Sequence, residues 1–213
     1  MDVGCGAGKF AAEFLRQGVR KVVAVDGSYV DPGKLMIDRA HFVARDLERP
    51  LDLEGTFDLA VSLEVAEHLT KERAAGFVAD LVSLAPVVLF SAAVPGQGGT
   101  NHINEQWQGY WLDLFAARGY RAVDCIRPRI WKDRRVEVWY RQNIIMYVSE
   151  SRYEAYAHLN SGGPPDVVHP ELFTRCSGQL EEARRGPTLG ALLRSIPGIV
   201  GRSFKSRVLG QKP

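Results

Sequence analysis

Two hydrophobic signatures alternate along the chain. Short, mostly apolar runs at residues 21–26, 41–44, 56–62 and 87–91 have the character of strands buried on both faces, as in a parallel sheet. Segments of helical period lie around them: Phe10, Ala11, Phe14 and Leu15 share one face, and residues 71–84 carry a longer helical pattern. This alternation predicts an α/β, doubly wound, mostly parallel sheet with helices on both faces. Further along, Tyr110, Trp111, Leu114 and Phe115 predict the inner face of a helix that starts within 102–107 and ends at Gly119. Two more strands are expected at 120–124 and 142–148. Between them, 128–141 interleaves Trp131, Trp139 and Tyr140 with Lys132, Arg134, Arg135 and Arg141. It reads as a cation-rich surface hairpin or helix, although the same mixture can grip a phosphate or a sugar.

The stretch Asp2-Val3-Gly4-Cys5-Gly6-Ala7-Gly8 joins the first strand to the first helix. Glycines at such a turn permit positive φ and let a ligand approach bare backbone, and the helix behind them offers free N–H groups. Lys9 stands where a dinucleotide fingerprint needs its third glycine, and Gly8-Lys9-Phe10 fails the phosphate-loop pattern. An acid, Asp26, ends the second strand, where a carboxylate can take both ribose hydroxyls. Asp46-Leu47 follows the third strand, and the fourth runs into the phrase FDLAVSLEVAEHL.

Together these features resemble the class I S-adenosylmethionine-dependent methyltransferases. The resemblance covers roughly residues 1–148. It implies a seven-stranded sheet whose last two strands form an antiparallel closure. It also implies S-adenosylmethionine as cofactor, with contacts at Asp2, Gly4, Gly6, Asp26, Asp46, Leu47 and Glu64. The family normally has more residues before its first motif, so the first, central strand is expected to be short and the chain to be a fragment missing its amino-terminal part. The implied activity is methylation, by preference at the oxygen of a small-molecule or glycan-like acceptor, because the polar segment His102, Asn104, Glu105, Gln106 and Trp107 suits hydroxyl groups. The alternative is a methyltransferase-fold binding module with weak or no catalysis.

Methyl transfer from a sulfonium asks the protein to align acceptor and methyl group, exclude water and, for a hydroxyl acceptor, remove a proton. His68 and His102, both expected at the carboxyl edge of the sheet, are the candidate bases. The pattern Glu-x-x-Glu-His with a later histidine is also similar to the metal ligands of small-RNA 2′-O-methyltransferases and some quinone-pathway O-methyltransferases. A divalent ion on Glu64, Glu67, His68 and His102 is therefore an alternative, with the metal-free reading preferred.

Composition adds few constraints. The chain has 213 residues, and a net charge of +2 gives no reason to expect nucleic acid as a partner. Three scattered cysteines, with no C-x-x-C pair, suggest neither a disulfide framework nor a zinc site, and a reducing cytoplasm is expected. Residues 1–149 are expected to form the cofactor domain and 150–213 a carboxyl-terminal extension, with a linker at Ser161-Gly162-Gly163-Pro164-Pro165. From Arg184 onward every charged residue is basic, and amphipathic helical spacing there suggests peripheral membrane contact.

Overall fold

The computed structural model describes residues 1–186. Its elements, in chain order, are β1 (Asp2–Val3), α1 (Lys9–Arg16), β2 (Ala24–Asp26), β3 (Phe42–Ala44), β4 (Ala60–Leu63), α2 (Ala74–Leu84), β5 (Val87–Ser91), α3 (Gln108–Ala116), β6 (Tyr120–Val123), α4 (Arg127–Ile130), α5 (Val138–Asn143), β7 (Ile145–Ser149) and α6 (Pro170–Arg185). The sheet has seven strands in the order β3-β2-β1-β4-β5-β7-β6. β1 to β5 are parallel neighbours, whereas β7 runs antiparallel between β5 and β6. The mostly parallel sheet with an antiparallel closing pair is the one expected.

β1 is only two residues long but lies inside the sheet, with Asp2 in register with Ala24 on one side and Val61 on the other. Val3, Val25 and Val61 are each no more than 1% exposed, which explains why these strands are apolar without alternation. The core on one side centres on Phe90, Trp111, Phe115 and Tyr147. Phe115 and Tyr147 stack with ring centres 3.8 Å apart, and Phe90 meets Trp111 at 5.1 Å. A smaller cluster of Ala11, Ala24, Val22 and Ile37 seats α1. Ala11 is the buried residue of that helix. Phe10, expected on the inner face, instead stands exposed and meets Tyr140 edge-on at 5.8 Å.

Two other segments differ from expectation. The helix expected to start within 102–107 begins only at Gln108, because the preceding backbone is used elsewhere. Ile103 N and Asn104 N both donate to Glu67 O, and Gln106 N donates to Ala93 O, which holds 103–106 extended across the sheet edge. Nor is 128–141 simply a cationic surface. Arg127 and Arg141 are each 3% exposed. Arg141 donates to Glu171 at 2.8 Å and to Trp131 O at 3.3 Å. Arg127 bonds Asp124 at 2.8 Å and the carbonyl of Pro165 at 2.9 Å. A guanidinium can be buried when most of its donors find acceptors, and here the Nε of each arginine is left without one.

These arginines, with buried His169 and Leu172, carry the first compact unit to Leu172, beyond the boundary expected at 149/150. The second unit starts at Phe173, and its described part is helical to Arg185, with a Glu181–Arg185 ion pair at 3.8 Å. The proposed basic amphipathic tail lies, beyond its first arginines, outside the described residues. Among the described residues no helix is long and apolar enough to cross a membrane.

Gly4 tests the turn after β1. Its φ is +81°, and a Cβ there would lie 2.3 Å from Val65 Cγ2. Gly6, at φ +53°, would meet nothing within 4 Å. Gly6→Ala should therefore cost only the left-handed backbone strain, about 1 kcal/mol, and Gly4→Ala distinctly more, because Val65 must also move. Urea denaturation midpoints of the two variants should fall in that order, and an equal loss would show that the Val65 contact yields freely.

Candidate active site

Because β1 to β4 run parallel, the loops leaving their carboxyl ends meet at one edge of the sheet. They line a cleft of about 780 Å³. Gly4 and Gly6 contribute from the first loop, and Asp26, Gly27 and Tyr29 from the second. Asp46 and Leu47 come from the third, Glu64, Val65 and His68 from the fourth, with Thr100 and Asn101 beyond them.

Asp26 is 4% exposed, so its carboxylate needs donors to remain there. Oδ2 accepts from Gly6 N at 2.6 Å, and Oδ1 accepts from Gly27 N at 2.7 Å and the Tyr29 hydroxyl at 2.5 Å. Asp46 is more open: Oδ1 accepts from Glu48 N at 3.0 Å while Oδ2 lies 3.4 Å from Arg49 Nε. Leu47 beside it is buried and offers the cleft an apolar surface.

Glu64 has a left-handed backbone, φ +56°, which is uncommon and costly for a residue with a side chain. Its carboxylate is fixed by amides from distant segments. Gln97 Nε2 donates to Oε2 at 2.9 Å, and Asn143 Nδ2 reaches Oε1 at 3.2 Å. Asn143 also donates to Gln97 Oε1 at 2.9 Å, and Gln142 to Asn143 Oδ1 at 2.9 Å, so the amides hold one another as well.

Glu67 is fully buried, and neither carboxylate oxygen has a hydrogen-bond partner of proper geometry. Burial first, then the nearby Glu64 charge, pushes its pKa up to about 9, against a weaker opposing pull from the backbone amides of Glu67 and Ala93. The imidazoles of His68 and His102 meet edge-on with ring centres 4.9 Å apart. Glu67, His68 and His102 each present a ligand atom within 4.8 Å of the others. Glu64, the fourth residue suggested for a metal, is not in that group and is held by the amides instead. His102 Nδ1 lies 2.9 Å from Glu105 Oε1, and the same carboxylate accepts from Gly96 N at 2.8 Å and Gly98 N at 3.1 Å. An acceptor on Nδ1 places the hydrogen there and leaves Nε2 with its lone pair.

Two residues predicted for catalysis or cofactor contact are absent from the cleft lining: His102, which stands beside lining His68, and Asp2. Asp2 is 3% exposed, and its Oδ2 has no partner. Burial outweighs the helping backbone contact from Ala11 and raises its pKa to about 6. Its place is beneath the glycine turn.

Solved structures with this fold include magnesium protoporphyrin IX methyltransferase from Synechocystis PCC 6803 with bound S-adenosylmethionine. It is 20% identical, has a TM-score of 0.51, and the match covers 70% of this chain and 68% of that one. The methyltransferase domain of bacterial CtHen1-C matches with 20% identity and a TM-score of 0.51, over 70% of this chain and 87% of that one. Residues 1–84, which hold the glycine turn, Asp26, Asp46 and the segment from Glu64 to His68, match a family model described as a methyltransferase domain. The fold is the one these methyltransferases share. A curated relative, the ubiquinone biosynthesis O-methyltransferase of Nitrobacter winogradskyi, is 28% identical over 123 residues, 55% of this chain. That match takes in 43% of the relative, so the chain spans less than half of its length.

Several residues that line the cleft or brace its lining were not predicted from sequence. Tyr29, three residues past Asp26, carries no pattern of its own. Gln97 sits in a glycine-rich loop, where only its polarity stood out. Gln142-Asn143 was assigned to a strand, although two amides at the mouth of an apolar run are a signal that something there needs hydrogen bonds. Glu105 was noted only as part of a polar segment.

Glu67 gives the site a pH signature. Its carboxyl is raised in the folded state from 4.5 to about 9, so ionisation favours unfolding. The stabilisation from the neutral form is complete below the unfolded value and is lost as pH climbs towards 9. Asp2 acts in the same direction, but only up to about 6. Between pH 6.5 and 8.5, in chelator-treated protein, Glu67→Gln should therefore gain stability relative to the wild type as pH rises, whereas the amino terminus, lowered to about 6 by burial, acts the other way in both proteins alike. Parallel slopes for both proteins would show that Glu67 is ionised throughout.

Proposed function

We propose that this chain is an S-adenosylmethionine-dependent methyltransferase that modifies an oxygen of a small, hydroxyl-bearing acceptor. The observation that carries this reading is the convergence of Gly4, Gly6, Asp26, Asp46, Leu47 and His68 on one cleft at the carboxyl edge of a class I sheet. The donor set fits a nucleoside bearing a charged amino-acid chain. Asp26 is the ribose acceptor, Asp46 and Leu47 receive the adenine, and the bare backbone of Gly4 and Gly6 admits the methionine portion. When bound, the cofactor supplies an electrophilic methyl group on a sulfonium.

The remaining chemistry belongs to the chain. His102, held by Glu105 with Nε2 unprotonated, takes the proton from the acceptor hydroxyl, and the Glu105 carboxylate offsets the charge that develops on the ring. His68, edge-on to His102 and lining the cleft, orients the acceptor. Glu64, braced by Gln97 and Asn143, provides a fixed negative charge beside the positively charged end of the cofactor.

A specific observation supports a second reading, in which a divalent ion assists. Two unpartnered oxygens on a fully buried Glu67, beside two imidazoles, form a donor set that a cation would satisfy. Glu67, His68 and His102 would hold the ion, which would keep Glu67 ionised and lower the pKa of an acceptor hydroxyl. The two readings separate on chelation, which leaves activity intact in the first and abolishes it, with recovery on adding Mg²⁺ or Mn²⁺, in the second.

Titration of this polypeptide with S-adenosylhomocysteine tests the reading as a whole, because a methyltransferase-fold binding module without a cofactor site would show no heat. Asp26→Ala should weaken binding at least ~10-fold, since hydrogen bonds to a charged group contribute roughly 1.5–3 kcal/mol each. Unchanged affinity removes Asp26 from the cofactor site. His102→Ala should lower turnover about 100-fold while leaving S-adenosylhomocysteine affinity within roughly threefold. Glu105→Gln should share that pattern more mildly. Loss of affinity equal to the loss of turnover would place His102 in the cofactor site rather than beside the acceptor.

A further inference from the structure

The hydrogen bonds on Asp26 leave little room for a ribose. A carboxylate has about four lone-pair positions, two per oxygen. Here Gly27 N and the Tyr29 hydroxyl take both positions on Oδ1, and Gly6 N takes one on Oδ2. One position remains, whereas a ribose brings two adjacent hydroxyl donors. The backbone donors cannot leave without dismantling the glycine turn, since Gly4 N and Cys5 N are tied to Val25 O on the same loop. Tyr29 can leave. Its side chain lines the cleft yet the residue is 82% exposed, and among the described contacts its hydroxyl is held by Asp26.

The ring lies against the backbone at Gly27, where a Cβ would come within 2.1 Å of its edge. A side chain at position 27 would therefore exclude the posture, so glycine here does more than shape a turn. The phenol is pushed up to about 12, first by burial of its hydroxyl end and then by the bond to Asp26, so it remains a proton donor at any working pH.

We infer that Tyr29 is a reversible cap on Asp26, a positioning residue whose hydroxyl trades places with a ribose hydroxyl each time the nucleoside enters or leaves. This rests on the cofactor reading of the cleft. The exchange swaps one charge-assisted hydrogen bond for another, so the site never leaves Asp26 short of a donor in its buried position. The trade weakens binding of substrate and product nucleosides alike and speeds release of the product. No covalent step is involved.

The test uses the full chain, S-adenosylhomocysteine as probe, and the variant Tyr29→Phe, which keeps the ring and removes only the hydroxyl. Tyr29→Phe should bind the probe roughly tenfold more tightly by calorimetry, with most of the gain in a slower off-rate by stopped flow. In an Asp26→Ala background the same substitution should change neither quantity, because the partner is gone. Weaker binding by Tyr29→Phe, or an unchanged dissociation constant and off-rate, overturns the cap. So does a tightening of equal size in the Asp26→Ala background. The outcomes separate the two levels of inference. If Asp26→Ala weakens binding and Tyr29→Phe does not tighten it, the cap alone is wrong. If the wild type does not bind S-adenosylhomocysteine, or Asp26→Ala binds as well as wild type, the cofactor reading and the cap fall together.

Discussion

The hydrogen bond from Gly6 N to the buried carboxylate of Asp26 is the constraint on which the site depends. It crosses from the loop after β1 to the end of β2, twenty residues on in sequence, and fixes the glycine turn against the neighbouring strand. The turn has almost no side chains with which to hold itself, and its positive-φ glycines would otherwise sample many shapes. The carboxylate in turn survives at 4% exposure only because the turn supplies donors. Each satisfies the other, and the mouth of the cleft takes its form from that exchange.

A second polar assembly faces it across the cleft. Glu64 adopts a left-handed backbone and is steadied by Gln97, from the loop after β5, and Asn143, the last residue of α5. Gln142 extends the assembly by accepting from His169 N at 2.7 Å, and Arg141 joins it to Glu171. A continuous hydrogen-bonded network, buried until it reaches exposed Glu171, thus runs from the cleft to just short of the end of the first unit. Such networks hold a geometry firmly when every member is satisfied. Arg141 Nε lacks a partner within this one and the Glu67 carboxyl lacks any beside it: the two Glu67 oxygens remain either as a neutral acid or as a donor set for a cation, and the same burial creates both options.

Asp2 and Asp26 show how two acids on neighbouring strands can diverge. Asp26 ends β2, whereas Asp2 opens β1 in register with Ala24, and both are almost wholly buried. Asp26 meets three donors and lines the cleft, while Asp2 has an unpartnered oxygen and lies below the turn. Motif spacing assigns both to the cofactor. The Ala11 backbone of α1 meets the Asp2 carboxyl, and only Asp26 lines the cleft.

The sequence by itself determined the sheet, because apolar runs buried on both faces and intervening helical periods leave few other architectures. It also determined the four loops of the cleft, since Gly4, Gly6, Asp26, Asp46, Leu47, Glu64 and His68 sit at or just past strand ends and a parallel sheet brings strand ends together. Only the tertiary structure decided which residues meet those loops from far along the chain. Asn143 lies 79 residues from Glu64 and Gln97 lies 33. Nothing in local periodicity encodes a contact at that separation. The late start of α3 has the same origin, for the backbone at 103–106 is recruited by Glu67 and Ala93 before helix propensity can claim it. The burial of Arg127 and Arg141 was equally illegible, because a cation reads as surface until its acceptors, contributed by residues up to 171, have folded around it.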